Sequence, residues 1–279
     1  MAQEQAKAAA LRVLHTGKQI LLLPNAWDVA SARIIEESGF KAVATSSAGV
    51  AFSLGYPDGQ VIPRDEMLAA IARIVNAVKV PVTADVESGY GKTPEDAART
   101  ARAVLDAGAV GMNLEDAVAD SSAALVDLPL QLEKIRAVRE MGSRLRIPLV
   151  LNARTDVYLL QIGDPATRYD ETVHRLSAFR DAGADCVFVP GVRHAPTIGR
   201  LVADLKCPVN ILAGPGSPSV LELSKLGVAR VSLGSGPMRA ALGHLRRIAE
   251  ELKTTGTYSK LEDAPSHAEM NRMMERKQR

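Results

Sequence analysis

Cysteine is scarce in this chain: Cys186 and Cys207 are the only two in 279 residues. Both stand in apolar runs, "ADCVFVP" and "LKCPVNI", so buried thiols in a reducing compartment are expected rather than a disulfide. Excess charge is missing as well. The 34 basic and 32 acidic residues leave a net charge of +2, and the basic ones are scattered, which gives no reason to expect nucleic acid. Only the end, "MERKQR", is locally basic, and it reads as a solvated terminus. No segment is long and apolar enough to span a bilayer. The opening "MAQEQAKAAALRVLHTG" reads as an amphipathic helix, without the apolar stretch and cleavage site of a secretory signal. A soluble, cytoplasmic protein without a membrane partner is the expectation. A dinucleotide fingerprint is also missing, since "GSGP" at Gly234 to Pro237 is weak as a nucleotide motif and lies at the last apolar run.

What the chain has is apolar content, 47% of its residues, enough to bury a large core. Its organisation repeats by type. Eight short apolar runs, "ILLLPNAWD", "KAVATSSAGV", "VPVTADVESG", "AVGMNLEDA", "PLVLNARTD", "DCVFVPGV", "PVNILAGPG" and "RVSLGSGP", each end in polar or glycine-rich residues and lead into a helix-like segment. Near-continuous apolar strands are what a parallel sheet covered on both faces needs. In "TPEDAARTARAVLDAGA", Thr93 is a candidate cap and Pro94 the first helical residue, with Glu95 and Asp96 in the first turn. Ala97, Ala101, Val104 and Leu105 fall on one face, and Gly108 supplies the stop. Glycine returns before an apolar run at Gly39, Gly183 and Gly227. Eight such units predict an α/β fold, a (β/α)8 TIM-type barrel spanning residues 1–257. A doubly wound open sheet is the alternative, and it does not need eight units. Residues 258–279 read as a C-terminal helical arm. Met270, Met273 and Met274 give it an apolar stripe suited to a frayed terminal helix or to packing on a neighbouring subunit.

In a barrel of this kind the chemistry sits at the carboxyl ends of the strands. Those ends carry Asn25 and Asp28, Ser46 and Ser47, Asp85 and Glu87, Asn113, Glu115 and Asp116, Asn152, Arg154 and Asp156, and Asn210. Carboxylates clustered on adjacent strands repel, and a divalent cation relieves the repulsion. Oxygen donors with no His or Cys nearby favour Mg²⁺, with Mn²⁺ possible.

Taken together, "SSAGVAFSLGYPDG", "ADVESGYG", "NLEDA" and "NARTD", in this order and spacing, resemble the isocitrate lyase/phosphoenolpyruvate mutase superfamily over roughly residues 18–245. The resemblance implies a Mg²⁺-dependent barrel enzyme that makes or breaks a C–C or P–C bond beside a 2-oxo acid through a pyruvate-type enolate. It also implies a homo-oligomer, a tetramer or dimer of dimers, with the C-terminal helix exchanged between subunits. By the same resemblance Asp85 touches the metal, Glu87 stands where many relatives have a second Asp, and Glu115 holds a metal-bound water. Ser46, Ser47 and Ala48 match the loop that holds the substrate carboxylate and oxyanion. Asp58 matches an acid near the reacting centre, Arg154 the arginine that orients substrate, and Asn210 an inward-pointing residue on the seventh strand.

The chain departs from the pattern after the fourth strand. Lyases that cleave isocitrate-like substrates carry a Lys-Lys/Arg-Cys-Gly-His loop there, whereas this sequence reads "EDAVADSSAALVDLPLQLEKI", with no Cys, no His and no Lys before Lys134. The mutase-type loop is missing too, and Asp120, Ser121 and Ser122 stand in its place. Loss of CO₂ needs no protein acid on the leaving fragment. The expected function is therefore a Mg-dependent carbon–carbon lyase on a small 2-oxo or 2-hydroxy di-acid, resembling an oxaloacetate decarboxylase. The alternatives are phosphonopyruvate hydrolysis or mutase-like P–C chemistry, and a non-catalytic 2-oxo acid binder. A sugar-phosphate enzyme on the same barrel would use "LAGPG" and "LGSGP" for phosphate, but no strand-end lysine is present for a Schiff base and the acids would go unexplained.

Overall fold

The computed structural model describes residues 2–118 and 124–275. Its sheet is wholly parallel and built from nine strand segments: β1 (Leu21–Leu23), β2 (Asn25–Ala26), β3 (Val43–Thr45), β4 (Val82–Asp85), β5 (Gly111–Glu115), β6 (Val150–Arg154), β7 (Cys186–Phe188), β8 (Val209–Leu212) and β9 (Arg230–Ser232). Neighbours in sequence are neighbours in the sheet from β2 round to β9, and β1 pairs with β9. Two segments share the first position because Pro24, which has no N–H to donate, stands between them. The first half completes the ladder with β9 and the second with β3, so a nearly closed barrel results and the eight apolar runs map onto its eight positions.

Helices α1 (Ala2–Thr16), α2 (Val29–Glu37), α3 (Ser47–Ser53), α4 (Arg64–Ala77), α5 (Pro94–Asp106), α6 (Leu128–Arg144), α7 (Arg168–Asp181), α8 (Ala195–Leu205), α9 (Val220–Lys225), α10 (Gly236–Thr254) and α11 (His267–Met274) accompany the strands. Helix α5 forms as its sequence dictates. Thr93 and Asp96 close a capping box, Pro94 starts the helix, and Ala97, Ala101, Val104 and Leu105 are buried. Gly108 ends it in the left-handed region at φ 85°, where a Cβ would meet Val75 Cγ1 at 2.9 Å.

The amino end of the barrel is plugged by α1. Leu11 is buried against Gly111 at the start of β5, Arg12 pairs with Asp185 just before β7, and His15 meets Arg230 on β9 at 3.4 Å. The carboxyl end stays open. The run "KAVATSSAGV", expected to be one strand and its polar end, stops at Thr45, and Ser46 then caps α3 by accepting from Gly49 N–H at 3.2 Å. That short helix, absent from the expected plan, carries Ser47 and Ala48 over the barrel mouth.

The C-terminal segment lies on its own chain's α2. Met273 is buried, and Arg33 donates to the Met273 carbonyl at 2.6 Å. The last four residues of the basic end fall outside the described residues. Cys186 and Cys207 are free thiols, Cys186 fully buried. No helix among the described residues is long and apolar enough to cross a membrane.

Candidate active site

Parallel register sets the acids side by side. Asp85 on β4 pairs with Asn113 on β5, and Asn113 in turn with Asn152 on β6. Two residues further along, on the same face of each strand, Glu115 pairs with Arg154, and Arg154 with Phe188 on β7. The side chains therefore form two levels at the carboxyl mouth. A cavity of about 590 Å³ opens above them, lined by Ser46, Ser47, Ala48, Asp58, Asp85, Glu87, Asn113, Glu115, Arg154 and Asp156. Every residue proposed for substrate, metal or catalysis reaches this wall except Asn210.

Asp85 is held rigidly. Its Oδ2 accepts from the Ser47 amide at 3.0 Å and the Ser47 hydroxyl at 2.8 Å, and its Oδ1 from Asn113 at 3.2 Å. Its own amide donates to the Thr45 hydroxyl at 2.8 Å. Glu87 sits just past the strand in a left-handed backbone conformation, φ 52°, which a non-glycine residue keeps only when its surroundings enforce it. Here Gln60 enforces it. The Gln60 amide nitrogen donates to the Ser88 hydroxyl at 2.7 Å, and its carbonyl accepts from Tyr90 N–H at 2.6 Å. Lys134, buried in α6, donates to the Gly91 carbonyl at 3.0 Å from beneath the same turn. The Glu87 carboxyl is pushed up to about 8 by burial and by the charges of Asp85 and Asp58, and its Oε1 is buried with no hydrogen-bond partner.

Arg154 is the electrostatic hub. Its Nε and Nη2 donate to the two oxygens of Asp156 at 2.6 and 3.0 Å, and Nη1 reaches Glu115 at 2.7 Å. Phe188 lies under the guanidinium, 5.7 Å from its centre. Burial alone would lower the pKa of Arg154, but Glu115 and Asp156 raise it, so the group is fully charged. Burial pushes Glu115 above the usual carboxylate range against the pull of Arg154, with Asp156 and Asp85 adding to the rise. Asp58 stands exposed at the rim, its carboxyl raised by partial desolvation and by Asp85.

Other strand-end residues serve the fold instead. Asn210, expected to contact substrate, is fully buried, exchanges hydrogen bonds with Ser232 at 3.2 and 3.3 Å and is not among the residues lining the cavity. Asp116 turns out of the cavity to meet Arg175 at 2.7 Å, the Thr155 hydroxyl at 2.6 Å and the Asp156 amide at 2.9 Å. Asp28 caps α2. Asn25 accepts from the Leu233 and Gly234 amides, both at 2.8 Å, so these two amides of "LGSGP" already have a partner. Asp120, Ser121 and Ser122 lie outside the described residues. The stems of their loop are joined, Val118 N–H donating to the Ala124 carbonyl at 3.1 Å and Val126 N–H to the Asp116 carbonyl at 2.7 Å. Sequence reasoning missed Gln60, Tyr90 and Lys134. Only the glycine-flanked "ESGYG" hinted that its turn needed anchoring.

The sequence pattern of the phosphoenolpyruvate phosphomutase family matches residues 11–253. The chain belongs to that family. A solved structure from Burkholderia cenocepacia J2315 superposes with a TM-score of 0.91 at 39% identity, covering 98% of this chain and 96% of the other. An uncharacterised protein of Mycobacterium tuberculosis H37Rv is 35% identical over 89% of this chain and 93% of its own length. An oxaloacetate decarboxylase of Rhodopseudomonas palustris BisA53 is 29% identical over 84% of this chain and 81% of that protein. Oxaloacetate acetylhydrolase, solved with its product oxalate, superposes with a TM-score of 0.86 at 28% identity over 96% of this chain and 93% of that one.

Proposed function

We propose that this protein is a Mg²⁺-dependent carbon–carbon lyase acting on a small 2-oxo or 2-hydroxy di-acid, in the manner of an oxaloacetate decarboxylase. The observation that carries the reading is the concentration of Asp58, Asp85, Glu87, Glu115 and Asp156 around one cavity whose only basic lining residue, among the described ones, is Arg154. Carboxyl groups crowded this closely hold their protons above the usual range unless a cation sits among them. The residues present fit one. Glu87 Oε1 is buried without a partner, and the nearby donors are carboxylate and hydroxyl oxygens, suited to a hard ion. Among the described residues, no three His, Cys, Asp or Glu side chains form a ready ligand cage. Mg²⁺ keeps several waters, so Asp85 as a direct ligand with Glu87 and Glu115 acting through water meets its needs.

Bound there, Mg²⁺ supplies positive charge beside the oxygen of a developing enolate. Three of the five Arg154 N–H groups are engaged with Asp156 and Glu115, and the other two are available to the carboxylate of a 2-oxo acid. Ser46, Ser47 and Ala48 line the same cavity, Ser47 already bonded to Asp85. In oxaloacetate the C3–C4 bond breaks, its electrons pass to the C2 carbonyl as an enolate, CO₂ departs, and a proton returns to C3. Asp58, whose raised carboxyl holds a proton more readily than an ordinary aspartate, stands at the rim as the donor. The two named relatives, which act on oxaloacetate or form oxalate, support this substrate class. Phosphonopyruvate chemistry is the second reading, supported by the family to which the chain belongs.

The test is turnover of oxaloacetate, phosphonopyruvate and methylisocitrate side by side, with Mg²⁺ and after EDTA treatment. Oxaloacetate should be consumed only with the metal, and Asp85→Ala should abolish it. Full activity of metal-stripped Asp85→Ala protein, or turnover of methylisocitrate alone, overturns the proposal. Absence of any melting shift with Mg²⁺ and oxalate would leave neither an enzyme nor a 2-oxo acid binder.

A further inference from the structure

Two segments meet at the rim of the cavity. One is the loop after α3, whose Asp58, Gly59, Gln60 and Val61 all line it, and the other is the turn after β4 that carries Glu87. Gln60, Glu87 and Tyr90 hold φ angles of 63°, 52° and 54°, three of the six positive values that non-glycine residues show among the described ones. They come together at one contact, the Gln60 side-chain amide, whose nitrogen donates to Ser88 and whose oxygen accepts from Tyr90. Strained backbone of this kind persists where the surroundings over-determine it, and it gathers where geometry matters to function.

The two sides depend on this contact unequally. The turn has other supports: the Glu87 carbonyl accepts from Glu115 N–H at 3.0 Å, the Gly89 carbonyl from the Thr100 hydroxyl at 2.7 Å, and the Gly91 carbonyl from Lys134. The loop has none. Across residues 57–62, every hydrogen bond to another described part of the chain is made by Gln60, and the Asp58 carboxylate accepts only from the neighbouring Gly59 N–H. Asp58, Gly59 and Val61 are exposed, so packing does not fix them, and Ile62 is the first fully buried residue after them. Position is therefore passed from the turn to the loop.

From this asymmetry we infer that Gln60 is a positioning residue, which holds the Asp58 carboxyl in place relative to Glu87 and the metal-binding side of the cavity. The inference rests on the reading given under Proposed function, in which Asp58 returns a proton to C3. Gln60 itself transfers nothing. An acid on an untied loop would spend much of its time away from the enolate carbon, and small displacements of a reacting group cost rate steeply.

The experiment uses Gln60→Met, which keeps the reach of the side chain and removes both hydrogen bonds. Steady-state kinetics on oxaloacetate in saturating Mg²⁺ compare wild type, Gln60→Met, Asp58→Asn and the double variant, with thermal melts of each in EDTA. Gln60→Met should lower kcat about tenfold, leave KM within about twofold and melt with wild type. Asp58→Asn should lower kcat about a hundredfold. Adding Gln60→Met to it should cost less than about twofold more, because the amide acts through Asp58. A tenfold loss that persists in the Asp58→Asn background, no loss in the wild-type background, or a Gln60→Met melt well below wild type overturns this inference, while Mg²⁺-dependent turnover by wild type leaves the proposed function standing. If wild type does not turn over oxaloacetate, both fall. If Asp58→Asn is as fast as wild type, the role of Asp58 falls and the inference falls with it.

Discussion

Replacing Glu87 by glutamine should disable the enzyme and stabilise the metal-free protein. The side chain is only 4% exposed, and its carboxyl lies near 8 in the fold against an ordinary 4.5. At pH 7 an unfolded chain has released that proton and the folded one still holds it. Holding the proton costs the fold about 1.4 kcal/mol for every pH step above 4.5, which comes to about 3 kcal/mol at pH 7. Glutamine keeps shape and backbone but never ionises. Allowing roughly 1 kcal/mol for the buried amide's own desolvation leaves a gain of about 2 kcal/mol, or about 4 °C in melting temperature for a chain of this size. The sign in pH follows from the raised value. Wild-type stability falls as pH climbs from 4.5 towards 8 and then levels off, so the gap between the two proteins should widen across that window. Thermal melts in EDTA at pH 5, 6, 7 and 8 would show it. With Mg²⁺ the order should reverse, because the wild-type carboxylate then has its counter-charge, and oxaloacetate turnover by the variant should drop by about a hundredfold. A variant that melts below wild type in EDTA at every pH, or a gap that does not grow with pH, would refute the reasoning.

Further outcomes are expected from other residues. Arg154→Lys, which loses the planar fork shared by Asp156 and Glu115, should lower kcat/KM by about a hundredfold or more in steady-state assays. His15 is held down to about 4 by burial and by Arg230, against an ordinary 6.5. Stability present above pH 6.5 should therefore be lost as pH falls towards 4, by about 3 kcal/mol in urea titrations, and His15→Gln should flatten the loss. Gly108→Ala places a Cβ at φ 85° against Val75 and should cost about 1–3 kcal/mol in the same titrations. Helix α10 buries only Met238 and leaves Leu242, Leu245 and Leu252 about half exposed on one side. Light scattering should find a mass above one chain, in line with the homo-oligomer that the family resemblance implies, and Leu245→Glu should reduce it.

The barrel was legible because its strands are buried on both faces and so read as apolar runs, while proline and glycine mark the turns between. The mouth acids were legible for a related reason: "NLEDA" and "NARTD" both end apolar runs, and parallel register puts Glu115 and Arg154 at the same height. Individual roles were harder to read. Asp116 and Glu115 are adjacent, and strand alternation sends one to Arg175 and the other into the cavity, a choice set by register and invisible in composition. That Asn210 bonds to Ser232 could not be read from the sequence, because Ser232 lies on the next strand, 22 residues away. Gln60 escaped notice because its work is done across space on Ser88 and Tyr90, in a loop that carries no helical or strand period.

The plug at the barrel's base bears on the order in which the molecule assembles. Helix α1 leaves the ribosome before any strand, yet Arg12 finds Asp185 after 173 further residues and His15 meets Arg230 after 215. Its apolar side includes Leu11, which meets Gly111 at the start of β5 and so lacks that cover until the middle of the sheet has been made. Helix α1 thus waits for β9 before its His15 contact can form, and closure of the base and completion of the sheet become one late, long-range event.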